Sequence, residues 1–242
     1  MKQVTLLCRG DSLGYISSVP KVNHSVIVNG FHYEAENEFI DEYLSSSSTV
    51  THVLSLGAYF PQSGAAELYK KYNFDKIILP YVKEVSPPIP NHFLQIEGRD
   101  GVLPVENLDD INKKDMISHP RYAYTSPSSG LDALLYIVNQ LKPDEVNIIG
   151  MDFYENIGIV GTGYFTNSIG RERNDHINNE LADRHDPTDL MQDFFKKIVI
   201  SKSNIIFNIY TASNIEFEAD NLNLERVIVW LISTNLLSAK KS

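Results

Sequence analysis

Three separated groups of residues have the types and spacing to hold an anionic, oxygen-rich ligand. The first is Pro127-Ser128-Ser129-Gly130, a helix-patterned run to Leu141, and then Val146-Asn147-Ile148-Ile149-Gly150-Met151-Asp152-Phe153-Tyr154. The backbone N–H groups and hydroxyls of Ser128, Ser129 and Gly130, at the positive end of a helix dipole, suit a phosphate or carboxylate. Plain N-capping is the alternative, and it accounts for one of the two serines. The second group is Arg9-Gly10-Asp11-Ser12, directly after an apolar run. Gly10 lets the backbone approach a ligand or serves only the turn, and Ser12 can cap a following helix. The third is Asn29-Gly30 with Phe31-His32-Tyr33 behind it, where the Asn amide reads a base or sugar edge, or the pair is an ordinary turn.

Tyr154 and Tyr164 stand at the start of a long polar stretch, where two phenols could donate to a leaving phosphate without a metal; singly, each suits packing as well. Of seven histidines, His185 is the best placed, just before Asp186-Pro187, a good cap and first-turn pair for a helix. A helix start there would lower its pKa and favour the neutral base, whereas Asp183 and Asp186 nearby would push the other way. The other six show no metal-ligand spacing with one another or with Cys8, so no metal site is expected. There is no Gly-x-Ser-x-Gly, which argues against covalent hydrolysis, and the lack of further glycines near Gly10 argues against a dinucleotide fingerprint or a P-loop.

The elements that must position these groups read as a layered α/β fold. Apolar runs without strict alternation at Val4–Cys8, Ser25–Val28, His52–Leu56, Lys76–Leu79, Val146–Ile149 and Ile205–Tyr210 predict strands covered on both faces. Helices are predicted over Gly130–Leu141, Pro187–Ile200 and, more weakly, Ala65–Tyr72. Strands alternating with helices imply a mostly parallel central sheet flanked by helices, in a single domain over 1–242. Ligands bind such sheets beyond the carboxyl ends of the strands. Val85–Pro90 reads as a stiff connector, and residues 155–186, polar and poor in apolar pattern, read as a flexible active-site lid.

Composition narrows the partners. The chain has 242 residues, 43% of them apolar, enough for a substantial core, and its formal charge of −10 argues against nucleic acid as a partner while leaving room for one local anion pocket. The single cysteine, Cys8, excludes an internal disulfide and fits a reduced, cytoplasmic setting. No signal peptide and no run near the roughly 18 apolar residues of a membrane span is visible. Val227–Ile232 reads as a buried element, with peripheral contact at the inner membrane face or a homo-oligomer contact as alternatives.

Together these pieces resemble the sialyltransferase superfamily. Pro127-Ser128-Ser129-Gly130-Leu131 followed by Asp144-Glu145-Val146 and a strand ending at Gly150 is similar to its second sialyl motif. Gly10-Asp11-Ser12-Leu13, Asn29, Ser129-Gly130, Gly150-Met151-Asp152-Phe153-Tyr154 and His185 resemble, in order and spacing over residues 1 to about 210, the bacterial CMP-sialic acid-dependent enzymes of lipooligosaccharide synthesis. The resemblance implies a Rossmann-like, GT-A-type glycosyltransferase variant that moves sialic acid or a related ulosonic acid from a CMP-sugar to a glycan acceptor hydroxyl, inverting and without a metal or other cofactor. It implies that Arg9, Gly10, Ser12 and Asn29 contact the nucleotide and that Ser128, Ser129 and Gly130 hold the donor. Gly150, Asp152 and Phe153 form the strand end beside the leaving phosphate, Tyr154 and Tyr164 donate to that phosphate, and His185 is the general base. Departures are Arg9 in place of Asn, Asp11 in place of Pro, Ser55-Leu56-Gly57 in place of a strand ending in Asn-Pro, and a wider Tyr154–Tyr164 spacing. Two other classes compete: a magnesium-dependent pyrophosphokinase-like enzyme with Asp11 and Asp152 as metal carboxylates, and a catalytically silent nucleotide-sugar binding protein.

Overall fold

Each of the apolar runs is a strand whose successive side chains enter opposite faces of one sheet. The computed structural model describes residues 1–54, 63–79, 96–108, 128–153 and 188–227. The strands are β1 (Gln3–Leu7), β2 (His24–Val28), β3 (Thr49–Val53), β4 (Phe74–Leu79), β5 (Glu97–Gly98), β6 (Gly101–Val102), β7 (Val105–Asn107), β8 (Glu145–Ile149), β9 (Ile206–Thr211) and β10 (Leu222–Arg226). The helices are α1 (Glu38–Ser46), α2 (Ser63–Lys71), α3 (Ser129–Tyr136) and α4 (Thr188–Ser201), with a 3-10 helix at Asp11–Ser18.

Eight strands form one sheet in the order β10-β9-β8-β1-β2-β3-β4-β7, and every neighbouring pair is parallel. The mostly parallel expectation is therefore exceeded: the only antiparallel pair among the described residues is the short β5–β6 ladder outside this sheet. The architecture is α/β and Rossmann-like. Chain order runs outward from β1 through β2, β3 and β4 on one side and restarts at β8 on the other. The β1/β8 junction is thus the topological switch point, where the crossovers diverge and leave a crevice.

Alternation along the strands divides the core. Val4, Leu6, Val26, Val28, Val146, Ile148, Phe207 and Ile209 pack against Leu131, Leu134 and Leu135 of α3 and Phe194, Phe195 and Ile198 of α4. Leu7, Ile27, Ile77, Leu79 and Ile149 pack on the other face against Ile40, Tyr43 and Leu44 of α1, Leu68 and Tyr69 of α2, and Leu13 and Ile16 of the 3-10 helix. Each fully buried Leu, Ile or Phe contributes roughly 1.5–3 kcal/mol, so both layers hold the strand ends in place.

Several boundaries differ from the sequence expectation. The third strand starts at Thr49 and stops at Val53, earlier than His52–Leu56, because its register is set by pairing with β2 from His24 to Val28. The helix expected over Gly130–Leu141 is α-helical only to Tyr136, passes through a π turn at Ile137–Leu141 and stops at Lys142 in the left-handed conformation (φ 45°), immediately before Pro143. Helix α1 escaped the sequence reading; Asn37 caps it by accepting from the N–H groups of Phe39 and Ile40. Tyr154, Tyr164, His185, the 155–186 lid, the Val85–Pro90 connector and the Ser55-Leu56-Gly57 strand end lie outside the described residues. Among the described residues, no helix is long and apolar enough to cross a membrane.

Candidate functional site

The carboxyl ends of β1, β2 and β8 and the start of α3 surround a cleft at the switch point. It is lined by Cys8, Arg9 and Gly10 after β1, Val28 and Asn29 at β2, Ser128–Gly130 at α3, Gly150–Phe153 after β8, and Met191 of α4. Nine of the ten residues expected to hold the donor lie here: Arg9, Gly10, Asn29, Ser128, Ser129, Gly130, Gly150, Asp152 and Phe153.

Ser12 is the tenth, and its place is different. It is fully buried inside the 3-10 helix rather than capping it; the cap position is Gly10. The Ser12 hydroxyl accepts from the Gly150 N–H (3.0 Å), and its own N–H donates to Asp152 Oδ2 (2.8 Å), tying the ends of β1 and β8 together. The glycines serve the same junction. A Cβ on Gly10 would fall 2.4 Å from Asp152 Oδ2, and one on Gly150, which has φ +75°, would fall 2.3 Å from the Cys8 carbonyl oxygen. No side chain fits at either position without moving backbone or the Asp152 carboxylate.

Asp152 lines the cleft, yet its carboxylate is committed to the protein. Oδ1 accepts from the Ala212 N–H (2.9 Å) and the Thr211 hydroxyl (3.0 Å), while the Asp152 carbonyl accepts from the Ser213 hydroxyl. One side chain thus ties the ends of β1, β8 and β9. Thr211 and Ser213 had no sequence signal, since their role depends on β9 lying beside β8. Asp11 stands close by, and burial together with the Asp152 charge pushes its pKa up to about 6. Burial and Asp152 also push the Cys8 thiol far up, so this buried residue is a protonated thiol at neutral pH.

Ser128 is the N-cap of α3, in extended conformation, its hydroxyl accepting from the Leu131 N–H (3.3 Å). Ser129 occupies the first helical position and lines the cleft together with Ser128, so the capping hydroxyl is Ser128's while both serines border the cleft. A Cβ on Gly130 would stand 3.0 Å from Cys8 Sγ, and the helix start therefore sits directly on the end of β1.

Among the described residues lining the cleft, the cation is Arg9. Its Nε lies 3.0 Å from Glu34 Oε1, with Arg9 14% and Glu34 0% exposed in their side chains. The guanidinium carbon lies 5.9 Å from the centre of the Tyr33 ring, which packs at a tilt against His32 with ring centres 3.9 Å apart. A buried carboxylate and an aromatic face thus fix the direction of its remaining donors. Glu34, 25 positions away, gave no sequence signal that it would meet Arg9.

Asn29 has φ 51°, so in the Asn29-Gly30 pair it is the asparagine that turns left-handed. Its N–H donates to the Val53 carbonyl (2.9 Å), and its carbonyl accepts from the Phe31 N–H (2.8 Å) and from His52 Nε2 (2.6 Å). Phe153 is left-handed as well (φ 48°), unusual for a bulky residue, and packs on Phe195 with ring centres 5.6 Å apart. Left-handed residues at the ends of both β2 and β8 are the kind of local strain that gathers at functional sites, at about 1–3 kcal/mol each.

The arrangement offers backbone and hydroxyl groups at a helix start, a braced guanidinium and an asparagine with a fixed backbone around one crevice. That donor-rich set suits a ligand with an anionic group and a planar or hydroxylated body. Comparison with protein-family models, with curated proteins and with solved structures gave no match.

Proposed function

We propose that the switch-point cleft binds a CMP-activated ulosonic acid, such as CMP-sialic acid, and that the chain transfers the sugar to a glycan acceptor hydroxyl. The observation that carries this reading is the convergence of four distant stretches, around residues 9, 29, 129 and 151, on one crevice. These are the stretches whose motifs resemble the donor site of sialyltransferases, and an α/β sheet with an anion-ready helix start at its switch point is physically suited to an activated nucleotide.

In the proposed reaction the acceptor oxygen attacks the anomeric carbon as the bond from that carbon to the CMP phosphate oxygen breaks, which inverts the anomeric centre. His185 takes the acceptor proton. Tyr154 and Tyr164 donate to the departing phosphate, where negative charge grows, and such donors act most strongly where charge develops. The α3 start at Ser129-Gly130 holds the donor, with Arg9 and Asn29 toward the nucleotide.

The test is turnover with CMP-sialic acid and a glycan acceptor, followed by CMP release. Turnover is expected to persist in EDTA. His185→Ala is expected to lower it by about 10²- to 10⁴-fold while leaving CMP binding intact, the usual share of a general base. Unchanged turnover would remove His185 from the mechanism, and absence of transfer by the intact chain would remove the enzyme reading.

A further inference from the structure

We infer that His52 is a positioning residue for ligand recognition, which holds Asn29 in its left-handed conformation and so sets the direction of the Asn29 amide in the cleft. The inference rests on the nucleotide-sugar reading of that cleft. His52 lies on β3, paired in register with Ile27 of β2, one layer outside the cleft lining. It is 1% exposed, and both ring nitrogens are engaged. A carbonyl oxygen only accepts, so the 2.6 Å contact to the Asn29 carbonyl places the proton on Nε2. Nδ1 then accepts, and the Tyr69 hydroxyl, 2.8 Å away, donates to it. Tyr69 is itself 1% exposed on α2, with its ring 5.0 Å from that of Phe74.

The chain of contacts thus runs from a buried phenol through one imidazole tautomer to the backbone of a cleft residue. Burial, with the nearby His32 and Arg9 charges, pushes the His52 pKa down to about 3, against the opposing pull of the Asn29 carbonyl. The ring is therefore neutral near neutral pH, and its donor is always aimed at Asn29. A left-handed asparagine costs free energy unless its surroundings hold it. Here the Val53 carbonyl and the Phe31 N–H do so from the backbone, and the His52 Nε2–H does so from a side chain. Without it, Asn29 can relax to another backbone conformation, and its amide leaves the direction in which it meets a base or sugar edge.

Calorimetric titration with CMP and with UMP tests this on the full chain and on two folded variants. In His52→Gln the amide nitrogen reaches the Nε2 position, whereas in His52→Asn it falls short. His52→Gln is expected to bind CMP like the parent, and His52→Asn about tenfold more weakly and with reduced preference over UMP, the scale of one well-placed hydrogen bond. A merely structural histidine would lower the melting temperature of both without separating them. Equal CMP affinity and CMP/UMP ratio in the two folded variants would overturn the inference. If His52→Asn does not fold, Tyr69→Phe decides: CMP binding about threefold weaker supports the inference, as one modest hydrogen bond is lost, and unchanged binding overturns it. Failure of the parent chain to bind CMP would show up before any variant is made; it would remove the functional reading and this inference with it.

Discussion

Arg9 and Asp11, two residues apart at the end of β1, sit in opposite electrostatic surroundings. Glu34 neutralises Arg9 from a fully buried position, whereas Asp11 is held away from water and, to a lesser extent, faces the like charge of Asp152. The folded chain therefore favours the protonated Asp11 carboxyl relative to the unfolded chain, in which the pKa lies near 4. Its contribution to stability is complete below about 4 and is lost as the pH rises through about 6. Asp11→Asn is thus expected to gain melting temperature relative to the parent at pH 7 and to lose that gain at pH 4, as read by thermal unfolding across this range. A constant difference between the two proteins would show that neither burial nor Asp152 raises the Asp11 pKa. At this scale the sequence was legible where a residue acts through its own neighbours in the chain, as at Ser128 before its helix. It was silent on Glu34, His52 and Thr211, whose partners lie 25, 23 and 59 positions away and meet them only through the sheet.

Helix α3 carries the sharpest division of labour between elements. Both serines line the cleft but only Ser128 caps the helix, so the two hydroxyls should separate in their effect on stability. Ser128→Ala is expected to cost about 1 kcal/mol of stability, the usual worth of an N-cap. Ser129→Ala should leave urea unfolding within about 0.5 kcal/mol, as an uncoupled surface-type change does, while weakening CMP binding. The reverse pattern would place the ligand elsewhere. Six strands and three helices could be read from their apolar pattern because each is covered by the core it helps form. Strand β10 was missed because it is an edge strand with mostly exposed residues, and β7 because it is three residues long. The π turn at Ile137–Leu141 was missed because the helical apolar stripe continues through it.

The molecule as a whole carries a formal charge of −10, so its long-range field repels an anionic ligand. Binding must come from donors within the cleft, at distances shorter than the roughly 8 Å screening length at physiological salt. CMP affinity is therefore expected to stay constant or improve as salt rises from about 20 to about 200 mM, within the range where screening weakens distant repulsion more than close contact. A steep loss of affinity would instead indicate a broad basic surface. The same eight-stranded sheet that fixes the cleft leaves the choice of ligand to the chemistry of its rim. Whether the cleft is a cytidine-nucleotide site is decided by calorimetric titration of the full chain with CMP against UMP and GDP. Saturable binding of CMP in clear preference to both is expected; no preference among the three would rule out a cytidine-nucleotide site.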